Sequence, residues 1–88
     1  MIFISLANFK GKPTKESVDK SSKLLEQMTK EGTEILGVYW TLGRYDAVVI
    51  IEAGDEKAAM KDLIRFGDVL SSETLVAVPR EEAVKLLE

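Results

Sequence analysis

The apolar positions change period several times along this chain, and each change marks an element. Residues 1–9, MIFISLANF, are β-branched and aromatic with no helical period, which predicts a strand. KGKPT then interrupts the run: Pro13 biases Lys12 towards an extended backbone, and the hydroxyl of Thr14 can accept from first-turn amides as an N-cap. A helix is expected over 15–31, with Val18, Ser21, Leu24, Leu25 and Met28 on its inner stripe and Gly32 suited to the left-handed residue that ends it. Two apolar runs follow, 33–42 and 45–53, separated only by Gly43-Arg44, where a leading glycine suits the type II′ turn that joins antiparallel strands. Asp55 can cap a second helix with Ala59, Met60, Leu63 and Phe66 inward and Gly67 at its end. A fourth strand is read over 71–78. REEAVKLLE, 80–88, is a short terminal helix with Val84 and Leu87 able to pack.

The order βαββαβ followed by α, with short connections and no repeats or linkers, predicts one domain over residues 1–88. The fold class is α+β, ferredoxin-like: a four-stranded antiparallel sheet with both long helices on one face. A two-residue loop at Gly43-Arg44 sets Leu42 opposite Tyr45, Thr41 opposite Asp46, Trp40 opposite Ala47 and Tyr39 opposite Val48. One face then carries Leu36, Val38, Trp40, Leu42, Ala47, Val49, Ile51 and Ala53, and is expected to pack on the helices. The other carries Ile35, Gly37, Tyr39, Thr41, Asp46, Val48, Ile50 and Glu52; a one-residue bulge would swap the sets. Phe3 and Phe9 join this second face if Ile2, Ile4 and Leu6 point to the helices. A lone domain would leave several apolar residues of that face in water, so a second copy is expected to cover it, giving a homodimeric α+β barrel.

GVYWTLGRYDAVVIIEAGDEKAAM resembles the GYD-domain family, whose Gly-x-Tyr-Asp hairpin motif corresponds to Gly43, Tyr45 and Asp46. The aromatic-Trp-Thr-Leu lead-in, the Glu52-Ala53 strand end and SSETLVAVPREE are also similar to that family. The resemblance spans nearly the whole chain and implies a dimeric α+β barrel rather than any activity. GRYDAVVIIEAGD is similar as well to effector-binding domains of leucine-responsive (Lrp/AsnC-type) regulators, a resemblance that implies small-ligand binding at subunit interfaces. This chain has no helix-turn-helix region, so a DNA-binding role would need a partner.

Composition narrows the chemistry. There is no histidine and no cysteine, which removes the usual neutral-pH general base, the commonest metal ligand, thiolate metal sites and disulfides. No acidic loop has a calcium-binding pattern, and neither a metal nor a cofactor is expected. A net charge of −3 gives no basic stripe for nucleic acid. No apolar run is long enough for a membrane span, and the first residues read as a strand rather than a signal peptide, so a cytoplasmic protein is expected. Asn8 and Gln27 are the only side-chain amides among many Lys and Glu residues, a bias also found in thermophile proteins.

Candidate ligand-binding residues are Tyr39, Thr41 and Asp46 on the mixed face, with Phe3 near them. Asp46 could act as a buried carboxylate or could simply accept hydrogen bonds from turn and neighbouring amides. Glu52 lies on the same strand about 20 Å from Asp46, too far for a carboxylate pair within one subunit. Arg44 at the turn tip, and Lys10 and Lys12 around the glycine before the first helix, are candidate anion contacts or solvated cations. KGKPTK lacks the GxxxxGK[ST] pattern of a phosphate loop. Trp40 is expected in the core. Ser71, Ser72 and Thr74 have no base partner, so no catalytic residue stands out. The leading expectation is a homodimeric small-molecule-binding or sensing module with its site between two sheets. The alternatives are a cofactor-free isomerase or monooxygenase, with Asp46 or Tyr39 as acid–base group, and a structural or partner-binding dimer.

Overall fold

The computed structural model of the chain describes residues 1–88. Its elements are β1 (Ile2–Phe9), α1 (Lys15–Lys30), β2 (Glu34–Trp40), β3 (Ala47–Glu52), α2 (Glu56–Ile64), β4 (Leu70–Ala77), α3 (Arg80–Val84) and a closing 3-10 turn, Lys85–Leu87. The sheet is antiparallel with strand order β2-β3-β1-β4, which is the expected ferredoxin-like α+β arrangement. Local chemistry starts both long helices. Thr14 Oγ1 accepts from the Ser17 amide at 3.0 Å while Ser17 Oγ accepts from the Thr14 amide at 2.9 Å, a reciprocal capping box. Asp55 Oδ1 accepts from the Ala58 amide at 2.8 Å. After α1 the chain turns at Gly32, whose φ of +104° lies where a Cβ would be strained.

The core forms where the two helices cover β3 and β1. Phe3, Met28, Ile51, Ala53, Ala59 and Phe66 are its buried residues, flanked by Leu24, Leu25, Ile35 and Val49. Small side chains at Ser5, Ala7, Ala47 and Ala59 let the helices sit close to the sheet, and Phe3, Met28 and Phe66 fill the volume between them. This reverses the expected orientation of β1. Phe3 is only 3% exposed and lies on the helix side, so it cannot line a site on the open face; Phe9 also points to the helix side, towards Trp40. Ile2, Ile4 and Leu6 take the open face instead. Both faces of this central strand are apolar in sequence, so alternation alone does not choose between them.

A bulge in β2 makes a second correction. Ile35 pairs with Ile51 and Gly37 with Ile50, leaving Leu36 as the extra residue. Ile35 therefore joins the core and Leu36 is exposed, the opposite of an unbroken ladder. Beyond the bulge, Tyr39 opposes Val48 and Trp40 opposes Ala47 as expected. Met60 of α2, expected inward, is exposed.

An ionic cluster joins α1 to α2. Arg65 Nη2 donates to Glu31 Oε1 at 2.7 Å and to Oε2 at 2.9 Å, while Nη1 lies 3.8 Å from Asp62 Oδ1. Asp62 is 2% exposed and accepts the hydroxyl of Thr33. Hydrogen bonds from Gln27 and from Arg65 hold the Glu31 carboxyl down at about 2.

Candidate functional site

The hairpin corner between β2 and β3 is tied by side chains to the rest of the sheet. The ladder stops at Trp40–Ala47, and one further bond from the Thr41 amide to Asp46 O, 2.8 Å, closes a wider loop than a two-residue turn. Gly43 provides the positive φ, +104°, that this loop needs. Thr41 Oγ1 donates to Tyr45 O at 2.7 Å. Asp46 Oδ2 accepts from the Phe9 amide at 2.9 Å, and the Asp46 amide donates to Ala7 O at 2.9 Å. The Tyr45 hydroxyl donates across the end of β1 to Glu73 Oε2 on β4, at 3.3 Å, and Arg44 sits 5.9 Å from the Tyr45 ring centre. Gly43, Tyr45 and Asp46 thus lock the hairpin onto β1 and β4.

The residues singled out from sequence do not converge on one site. Tyr39 stands on the open face, 57% exposed, with its ring folded back over Gly37: a Cβ there would lie 2.6 Å from Tyr39 Cε2. Thr41 and Asp46 are engaged in the loop, and Phe3 lies on the other side of the sheet. Lys10 Nζ donates to Gly67 O, tying the end of β1 to the turn that follows α2. Lys12 joins no ion pair.

A cleft that the sequence did not reveal opens on the helix side. It encloses about 370 Å³ between the N-terminal half of α1, the loop before it and the helix-facing side of β2 and β3. Phe9, Val18, Leu25, Trp40 and Phe66 make its apolar wall, with Lys12, Ser21 and Ser22 among its polar groups. Trp40 meets Phe9 edge-on, with ring centres 5.2 Å apart and planes at 70°. It is 63% exposed rather than buried in the core as expected, because β2 is an edge strand and α1 does not cover its far side. The signal available in the sequence was the hairpin register, which had already placed Trp40 on the helix face. Asp68, also in the lining, is held by Lys20 at 3.3 Å. No group of three or more acidic, histidine or cysteine side chains is placed to hold a metal ion, and no helix is long and apolar enough to cross a membrane.

A βαββαβ sheet with an apolar helix-side cleft and a side-chain-locked hairpin defines a small ferredoxin-like α+β domain. More particularly, the chain matches the family model described as GYD domain over residues 2–87, and it belongs to that family. No curated protein matches it.

Proposed function

We propose that the chain is a homodimeric small-molecule-binding module that takes a compact organic acid with an apolar body. The cleft carries this reading. Its volume of about 370 Å³ lies within the range of roughly 300–1,000 Å³ common for ligand sites, and its mainly apolar wall with few polar groups matches their composition. Lys12 is the cation there without a carboxylate partner, so it suits an anionic group on the ligand, with Ser21 and Ser22 available as further contacts. Hydroxyls, one ammonium and an already paired Asp68 support holding a ligand more than moving a proton. Tyr39 remains the side chain available for a contact between sheets.

The dimer is supported by the open sheet face. Ile2, Ile4, Leu6, Val48, Ile50 and Leu75 share it, and no helix of the chain covers them. Ile2, Ile4 and Leu6 of β1 take the place there of Phe3, Phe9 and Ile35, so the face keeps an apolar centre suited to a second copy.

Trp40 is the only tryptophan, so its emission reports directly on the cleft. Titration with branched and aromatic carboxylates should shift that emission and raise the melting temperature. Lys12→Gln should weaken a carboxylate about fivefold and leave its uncharged amide analogue unchanged. Acids that raise the melting temperature without moving Trp40 emission, or that bind Lys12→Gln equally well, would place the site elsewhere.

A further inference from the structure

Beyond β4 the chain continues as an arm with nothing of its own to pack on. Val78 and Val84 are exposed, Leu86 is 81% exposed and Leu87 is 88% exposed, and no residue of α3 or the closing turn is buried. A five-residue helix is far too short to persist in water without tertiary contacts. Arg80 and Lys85 join none of the ion pairs of the body. At the opposite edge of the sheet, β2 presents EILGVYW with neither lysine nor proline to deter pairing, and Leu36, Val38 and Trp40 are exposed along it. Glu34 and Glu52 stand directly opposite one another at the start of this edge, a like-charge pair that joins none of the chain's ion pairs; the N-terminal ammonium nearby donates to Ala53 O at 2.8 Å.

A dimer whose two-fold axis runs along the strands would bring these two unpartnered features together. Ile2 pairs with both Ala77 and Glu52, and Glu52 pairs with Glu34, so the root of the arm and the start of β2 lie at the same end of the sheet. Two such sheets packed face to face about a two-fold axis along the strands keep that end in common. The same axis sets the β4 edge of one copy beside the β2 edge of the other. Four strands at a spacing of about 4.8 Å and a length near 26 Å give the open face a planar footprint of about 500 Å² per copy. An apolar arm would enlarge the surface that two copies bury.

We infer that residues 78–88 form an exchanged arm that docks on the β2 edge of a second copy, with Leu87 against the partner's Leu36 and Arg80 facing the partner's Glu34 and Glu52. This rests on the sheet-face dimer proposed above. Because the chain has no cysteine, Leu36→Cys with Leu87→Cys introduces the only two thiols. A short bis-maleimide should join that variant into covalent dimers on a denaturing gel, while the single variants should link far less. Thiols consumed within a monomer band would mean that the arm folds onto its own chain, and would overturn the proposal. Free thiols in a protein that light scattering shows to be dimeric would also overturn it while leaving the sheet-face dimer standing. A monomer by light scattering would remove the dimer itself. As a test independent of cysteines, Arg80→Glu should weaken dimerisation about tenfold, and adding Glu52→Arg should recover most of that loss; an unchanged dimerisation constant counts against the arm.

Discussion

The carboxylate of Asp46 accepts the Phe9 amide hydrogen at 2.9 Å at a point where the β1 ladder has run out of backbone partners on that side. In sequence this aspartate can be an acid–base group, but it reads more readily as an acceptor for turn and neighbouring amides, a role its short side chain suits. Its partner lies 37 positions away in the chain and is invisible to local pattern. Asp46→Ala should therefore cost about 1–2 kcal/mol in urea unfolding, with Asp46→Asn costing less because one amide oxygen can still accept. Equal stability of all three proteins would show that the bond contributes nothing to folding. Tyr39 behaves differently at this scale: its hydroxyl has no partner within the chain, and Tyr39→Phe should leave stability within about 0.5 kcal/mol of the parent. Trp40 was legible as helix-facing from hairpin register. Its exposure was not, since that depends on how far α1 reaches over an edge strand.

Between elements, the cluster linking the end of α1 to α2 makes a pH prediction. Hydrogen bonds from Gln27 and Arg65 lower the Glu31 carboxyl from 4.5 to about 2, so the folded state holds it ionised where the unfolded chain would protonate it. The stabilisation is therefore fully present above about pH 4.5 and is lost as pH falls towards 2. Glu31→Gln should flatten stability between those limits and leave the neutral-pH slope unchanged, measured as urea midpoints against pH. Arg65→Met should be more damaging, roughly 2 kcal/mol at neutral pH, because it also leaves the buried Asp62 without its nearby cation. Sequence periodicity identified both helices and their caps, yet not this link. Glu31 read as the last residue of a helix and nothing in the pattern singled out Arg65; only packing placed them 2.7 Å apart. The bulge at Leu36 belongs to the same scale: one extra residue lets Ile35 reach the core.

For the molecule as a whole, the open face and the arm make assembly the main expectation. If two sheets pack together, the melting temperature should rise with protein concentration. Ile50→Asp should then yield a monomer by light scattering with native circular dichroism, because Ile50 points away from the helices. A dimer that tolerates Ile50→Asp would argue for a different interface. In the core, Ile51→Ala should cost about 3–4 kcal/mol, since a fully buried side chain leaves a cavity that the neighbouring helices can only partly close.

The order of elements, their caps and the antiparallel hairpin were set by the sequence itself, because hydrophobic period, glycine placement and side-chain capping are short-range and act within a few residues. Which face of β1 turns inward, where Phe3 and Ile35 go, the Glu31–Arg65 contact and the cleft beside Trp40 were decided only in the tertiary structure. Each depends on close packing between segments distant in the chain, where side-chain volume and the reach of one helix over a sheet edge choose among patterns that are locally equivalent.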